Sequence, residues 1–256
     1  MCSRWSGIFL VVVVFFTTAV ADTHMARHPR YIVLVGPPGA GKGVLAERLS
    51  VSEQLPIITT SQVLKNLPED SDVAIEVKQL MQSGELVPDA IIATVMREEL
   101  QKVKYTNGVI FDGFPRTVAQ ADFFADNEMK IESVIVLHAD EDTLVRRISG
   151  RRVHEASGRV YHLESKPPQV AGQDDVTGAL LIQRPDDQED VVRARLETYR
   201  MQTEPVVAWA IFAQSGLSPV VEHVVIIDAG KTANLVWKAV CTELGAESIQ
   251  LHGCSH

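Results

Sequence analysis

Cysteine is scarce in this chain. Cys2, Cys241 and Cys254 are the only three, and no two of them form a C-x-x-C pair. That argues against a disulfide scaffold and against a thiolate zinc site. Excess positive charge is absent as well: the formal net charge is −9. That argues against a general nucleic-acid-binding role, and any anion site has to be local. There is no internal repeat and no low-complexity tract. The apolar run at 8–20 is short for a transmembrane helix. It follows Arg4 and closes on Ala19-Val20-Ala21, the A-x-A form of a cleavage site, so the first 21 residues have a signal-peptide pattern. The second reading is that translation starts at Met25, shortly before Tyr31. Under either reading, residues 1–30 are leader and linker outside the fold, and no stable membrane association is expected.

What is present is enough for a real core. Hydrophobic residues make up 46% of 256 positions, which suits one domain with insertions. The organising stretch is 31–43, Tyr-Ile-Val-Leu-Val-Gly-Pro-Pro-Gly-Ala-Gly-Lys-Gly. Its first five residues are β-rich and apolar, and read as a buried strand. Gly36, Gly39 and Gly41 break that strand, and a loop so rich in glycine can turn its N–H groups inward around an anion. From Lys42 the apolar spacing of Val44, Leu45 and Leu49 opens a helix, whose N-terminus favours negative charge. The result is a phosphate cradle in the G-x-x-x-x-G-K spacing of the P-loop. A glycine-rich turn without a ligand has the same glycines; the strand before and the helix after distinguish the two. The Ser or Thr that usually follows the Lys and touches Mg²⁺ is here Gly43, so magnesium has to be held another way.

Downstream, strands and helices alternate. Strands are predicted at 56–59, 109–111, 133–138 and 224–228, and helices at 72–84, 89–102, 117–127, from Asp140 to about Gly150, from about Asp187 through Phe212, and at 232–244. Thr60 or Ser61 is placed to cap a helix running toward Leu67, and Asp89 to cap the next long one. Residues 151–186 differ in texture, being rich in Gly, Pro, Asp and Arg, with Val160-Tyr161-His162 as the one strand-like piece; they read as an inserted lid of loops and short strands. The tail from Glu247 is expected to be loose. The pattern predicts an α/β fold of three layers, a central parallel sheet covered on both faces. The final strand and helix leave no obvious exposed apolar face, and a monomer is expected.

Phosphoryl transfer needs positioned cations more than it needs a nucleophile. Arg116, Arg147, Arg151, Arg152, Arg184, Arg193, Arg195 and Lys231 are the candidates, although any single arginine is as readily a solvated surface group. Asp112 ends the strand 109–111 and precedes Gly113. A carboxylate there is placed to bind the water shell of Mg²⁺; an Asp before Gly also starts turns.

Taken in order, five runs carry a resemblance: 36–43; Asp112-Gly113-Phe114-Pro115-Arg116-Thr117; Gly150-Arg151-Arg152-Val153-His154; Val160-Tyr161-His162; and Asp174-Asp175-Val176-Thr177-Gly178. From 31 to about 244 the chain resembles the adenylate kinases of the long-lid type, a P-loop α/β/α fold with a helical AMP-binding insertion (59–87) and a β-rich lid (150–187), spanning 31–246 here. The resemblance implies transfer of the γ-phosphoryl of ATP to AMP, giving two ADP, with Mg²⁺ carried on the ATP. It places ATP phosphates on Gly39, Ala40, Gly41, Lys42, Gly43 and Val44, Lys42 on the transferred group, Arg151 on the phosphates, and Asp112 on Mg²⁺ through water. It sets Arg147 against adenine, Val160 and Tyr161 over the nucleotide, and a Lys231 carbonyl on adenine. For AMP it implies Thr60, Lys65, Glu85, Leu86, Val87, Gly113, Phe114, Pro115, Arg116, Gln120, Arg184 and Arg195, with Gln120 reading the adenine edge through its amide. Some relatives hold the lid with four zinc-binding cysteines; those positions are His154, Ser157, Asp174 and Thr177 here, so a hydrogen-bonded lid without zinc is expected.

The departures gather on the AMP side. The family's T-G-D-x-x-R is Thr60-Ser61-Gln62-Val63-Leu64-Lys65, and Val44 replaces a Thr. Lys65 keeps the charge but loses the bidentate fork. An active enzyme with weaker AMP binding is expected. The alternatives are a kinase for another nucleoside monophosphate and a nucleotide-binding protein without catalysis. The cytosol is the default compartment, with export or an organelle left open by the leader.

Overall fold

A computed structural model describes residues 28–68, 71–83, 87–216 and 220–246. The leader to residue 27, the tail from 247, and Glu85 and Leu86 lie outside the described residues.

The glycine loop joins β1 (Arg30–Val35) to α1 (Lys42–Glu53). The next unit is β2 (Ile57–Thr59) and α2 (Thr60–Lys65), followed by α3 (Asp72–Ser83) and α4 (Asp89–Leu100). Then come β3 (Gly108–Asp112), α5 (Val118–Asp126), β4 (Ile131–His138) and α6 (Glu141–Ser149). The lid carries β5 (Arg151–Val153) and β6 (Val160–His162), and the chain closes with α7 (Glu189–Thr198), α8 (Glu204–Gln214), β7 (Val221–Asp228) and α9 (Ala233–Ala246).

The sheet runs β2-β3-β1-β4-β7, and every pairing in it is parallel. Period-two alternation sends successive side chains to opposite faces. Ile32, Leu34, Ile110, Ile135, Leu137, Val225 and Ile227 pack with Leu45 and Leu49 of α1, Leu144 and Ile148 of α6 and Val240 of α9. Val33, Val35, Phe111, Val134 and Val136 pack with Ile92 and Met96 of α4, Phe124 of α5 and Ala210 of α8. Both faces are thus covered, as a parallel sheet requires. At the amino end of the strands, Arg30 donates to Glu132 at 2.6 Å and to the buried Glu53 at 2.9 Å.

Several expectations shift. The helix α2 is capped by Thr59, whose hydroxyl accepts from the Gln62 N–H at 3.2 Å, rather than by Thr60 or Ser61. Pro88, not Asp89, is the cap of α4, and Asp89 is its first residue. The helix expected from about 187 through 212 is present from Glu189 to Gln214, as α7 and α8 with a π-helical turn at Tyr199–Thr203 between them. The lid has a second strand, β5, antiparallel to β6. Cys241 is disulfide-bonded, a bond the spacing of the cysteines did not announce. Phe212, Ile226 and Leu235 are exposed, so the final strand and its neighbouring helices do present apolar groups to solvent. Among the described residues no helix is long and apolar enough to cross a membrane.

Candidate active site

All the parallel strands end their carboxyl sides on one edge, where an α/β sheet binds its ligands. Register sets Leu34 of β1 and Thr59 of β2 beside Asp112 of β3. The loop 36–41 rises above that edge. Gly39 and Gly41 have φ of 82° and 90°, a left-handed backbone that only glycine adopts without strain. Gly36 is needed for a different reason: a Cβ there would lie 2.7 Å from the Leu137 carbonyl oxygen. Gly41 is the N-cap of α1 and offers no side-chain cap, so the first N–H groups of that helix face the loop's interior without a competing hydroxyl. Ala40 is buried, whereas Val44 is half exposed.

Lys42 curls back over the loop, its Nζ donating to the Gly36 carbonyl at 2.6 Å and the Pro37 carbonyl at 3.0 Å. Its pKa is pulled down from 10.5 to about 8, first by burial, with Asp112 opposing and Arg116 and Arg195 adding to the fall. Burial pushes the Asp112 carboxyl up, with Lys42 and Arg116 pulling back. Burial likewise lowers the Arg116 guanidinium, Asp112 resists, and Arg195 adds repulsion. Lys42, Asp112, Arg116 and Arg195 are therefore close enough to shift one another's charge. Lys42 and Arg116 at one carboxylate, with Arg195 near both cations, leave a surplus of positive charge for an anion. A Cβ at Gly43 would stand 3.7 Å from Asp112 Oδ2, so the side of the carboxylate facing the loop is open.

The backbone after Asp112 is fixed from below. Phe111, Phe114, Phe123 and Phe124 form a cluster of tilted and edge-on rings, the Phe111 and Phe124 centroids 5.2 Å apart, in the arrangement aromatic quadrupoles prefer. Above it, the Gly113 carbonyl accepts from Thr60 Oγ1 at 3.0 Å and from Arg116 Nε at 2.9 Å. The Phe114-Pro115 peptide is cis. The Arg116 N–H donates to Gln120 Oε1 at 2.8 Å, while Gln120 Nε2 donates to Asp89 Oδ1 at 2.7 Å. Alongside, α2 and α4 face each other along an apolar seam lined by Thr60, Val63, Leu64, Ile92, Val95 and Met96. Lys65 and Ser61 are exposed at the outer side of α2, and Val87 is part-buried at the foot of α4.

The lid brings further cations, not all of them free. Arg151 forms a two-pronged ion pair with the fully buried Asp187, Nε lying 2.9 Å from Oδ2. That pair, rather than the cleft, holds the Arg151 charge and raises its pKa. Arg195 donates to the Asp186 carbonyl at 2.9 Å and to its carboxylate at 3.1 Å. Arg184 is exposed. Arg193 ties α7 to Glu141 of α6. Arg147 donates to the carbonyls of Ala229, Gly230 and Lys231 at 2.6, 3.1 and 2.9 Å. It braces the loop after β7, and it already occupies the Lys231 oxygen. The Lys231 ammonium sits 3.6 Å from Asp228.

Within the lid, the four residues His154, Ser157, Asp174 and Thr177 do converge. His154 Nδ1 lies 2.6 Å from Ser157 Oγ, and Thr177 Oγ1 donates to Asp174 Oδ2 at 2.7 Å. Sequence reasoning missed the fifth member. Arg159 grips buried Asp174 with Nε and Nη2 at 2.7 and 2.6 Å, and Tyr161 adds its hydroxyl at 3.0 Å. Arg159 is the main reason the Asp174 carboxyl is held far below the ordinary carboxylate range. A buried Asp requires a cation or several donors, and that requirement was the signal available. Tyr161 accordingly has its ring buried in the lid, while Val160 beside it is exposed. Asp187 and Asp89 were also missed as partners of Arg151 and Gln120. Among the described residues no three His, Cys, Asp or Glu side chains gather as a metal site.

A family model described as adenylate kinase matches residues 34–215, more than half of the chain. The match starts inside β1 and ends just past α8, so it takes in the glycine loop, Asp112, Arg116, the lid and Arg195. Nucleotide binding and phosphoryl transfer of the nucleoside monophosphate kinase class come with that match. On the parallel sheet, the glycine loop and this matched span together, the chain belongs to the adenylate kinase family.

Proposed function

We propose that this protein catalyses the reversible transfer of the γ-phosphoryl group of ATP to AMP, giving two ADP. One observation carries the reading: Lys42 and Arg116 flank one carboxylate, Asp112, where a glycine loop opens into a helix, and Arg195 adds its field to both cations. Such a set holds more positive charge than Asp112 balances, which suits it to an anion. In the transfer, an oxygen of the AMP phosphate attacks the γ-phosphorus and the bond to the β,γ-bridging oxygen breaks. The loop N–H groups and Lys42 hold the donor phosphates, and Arg116 and Arg195 meet the charge that spreads over the transferred group. Thr60, Lys65, Glu85, Leu86, Val87, Gly113, Phe114, Pro115, Gln120 and Arg184 form the acceptor side. Gly39, Ala40, Gly43, Val44, Arg147, Val160, Tyr161 and Lys231 form the donor side.

Magnesium bound with ATP neutralises charge between its phosphates. Asp112 fits the role of holding it through water, since its carboxylate is flanked by a side-chain-free Gly43. Arg151 must leave Asp187, or turn with it, to reach a phosphate, so lid closure (150–187) and movement of 59–87 belong to the mechanism; closure excludes water that would hydrolyse ATP. The lid is held by its hydrogen bonds rather than by zinc, and the enzyme works as a cytosolic monomer.

Acceptor choice is tested by supplying ATP and magnesium with AMP, GMP, CMP or UMP and measuring ADP formation. AMP should give the highest kcat/KM. A preference for another monophosphate would move the enzyme within its family, and nucleotide binding without ADP formation would make it a non-catalytic binder. Lys65→Arg should lower the KM for AMP, because the guanidinium restores two-pronged phosphate contact.

A further inference from the structure

Asp89 stands at the first turn of α4, about thirty residues before Gln120 in the sequence, yet its two oxygens touch two groups at the start of α5. Asp89 Oδ1 accepts from Gln120 Nε2 at 2.7 Å, and Asp89 Oδ2 accepts from Thr117 Oγ1 at 2.9 Å. Thr117 is the N-cap of α5, and its oxygen in turn accepts the Gln120 N–H at 3.1 Å. On its other side, Gln120 Oε1 accepts from the Arg116 N–H at 2.8 Å.

These contacts leave the buried amide a single orientation. An ionised carboxylate only accepts, and a backbone N–H only donates. Rotating the amide by half a turn would set its oxygen against Asp89 and its NH₂ against the Arg116 N–H, two repulsive pairs in place of two hydrogen bonds. With one N–H spent on Asp89 and one lone pair on Arg116, Gln120 keeps one donor and one acceptor in fixed positions. A primary amide held this way suits a base edge with a donor at C6 and an acceptor at N1, as in adenine. Hypoxanthine presents the reverse, an acceptor at O6 and a donor at N1, and needs the rotated amide.

We infer that Asp89 is a positioning residue for base selectivity: it fixes the Gln120 amide in the orientation that accepts a 6-aminopurine monophosphate and rejects a 6-oxopurine one. This rests on the proposed function, with Gln120 facing the acceptor base. The same network links the base reader to the Arg116 backbone, so the group that selects the acceptor also sets the residue that meets its phosphate.

The test compares wild type, Asp89→Ala and Asp89→Asn, with AMP or IMP as acceptor and ATP and magnesium as donor. Asn keeps the shape but can offer either a donor or an acceptor to Gln120. The ratio of kcat/KM for AMP over IMP should fall by about tenfold or more in Asp89→Ala, the scale of one hydrogen bond, and by less in Asp89→Asn, with the KM for ATP unchanged in both. A purely structural loss at α4 would lower both acceptors alike and leave the ratio where it was. An unchanged ratio in Asp89→Ala overturns the inference; if that variant does not fold, an unchanged ratio in Asp89→Asn does so. Failure of the wild type to phosphorylate AMP would instead overturn the proposed function, and this inference with it.

Discussion

The cleft and the lid treat charge in opposite ways. In the cleft, Lys42 rests on two loop carbonyls and Arg116 on the single Gly113 carbonyl, contacts that a phosphate can replace. In the lid, Asp174 takes hydrogen bonds from Arg159, Tyr161 and Thr177 at once, and it is almost wholly buried. The cleft stands on a large apolar core, so its polar groups can stay under-satisfied without unfolding the domain. The lid has little apolar core of its own and must hold shape by polar contacts. Under-satisfied cations make a binding site; satisfied ones make a scaffold.

The sharpest way to break this comparison is to remove a cleft cation. Lys42→Ala should cut ADP formation by roughly a thousandfold or more, beyond the usual loss of one preorganised donor, because the proposed reaction relies on it for both phosphate binding and transfer. Arg116→Ala should cost on the order of a hundredfold in kcat, with the fold intact by circular dichroism. Near-normal turnover in either would assign the transfer to another cation.

Asp174→Ala should do the reverse. Hydrogen exchange across 150–187 should speed up and the KM for ATP should rise, while exchange in the strands stays as in the wild type, because the lid's partners are its own. Unchanged exchange in the lid would mean that its backbone pairing, such as Val153 with Ile182, suffices without the buried ion pair.

The smallest effect is a proton. Lys42 has its folded pKa lowered to about 8 from 10.5. Between those values the unfolded chain binds this proton and the folded chain does not, so the group's contribution to stability rises with pH across that window. Below pH 8 the charged Lys42 weighs against folding. Lys42→Met should therefore raise the Tm of the ligand-free protein at pH 7 while abolishing turnover. Binding of ATP above pH 8 should take up a proton, measurable by calorimetry in buffers of different ionisation enthalpy.

Much of this was legible in the sequence, for reasons that differ between the two regions. The cleft is written in local signals: Gly39 and Gly41 need φ values that glycine supplies, and Asp112 follows directly on a buried strand. The parallel sheet followed from alternation of strands and helices. What escaped was non-local or weakly periodic. Arg159 meets Asp174 across fifteen residues, most of them irregular beyond β6, and Asp89 meets Gln120 across thirty-one. The strand β5 is short and begins with two arginines, so no alternation announces it. The π turn at Tyr199–Thr203 keeps a helical look in sequence, and Pro205 is tolerated because it lies in the first turn of α8, which starts at Glu204. Thr60 was read as a cap because of its type, but its hydroxyl serves the Gly113 carbonyl instead.

Phosphorus NMR of the purified protein with ATP, AMP and magnesium follows phosphoryl transfer itself. The β-phosphate signal of ADP should grow until all three nucleotides reach equilibrium, with no such growth for Lys42→Ala. Intact ATP and AMP alongside folded, ATP-binding wild-type protein would contradict it.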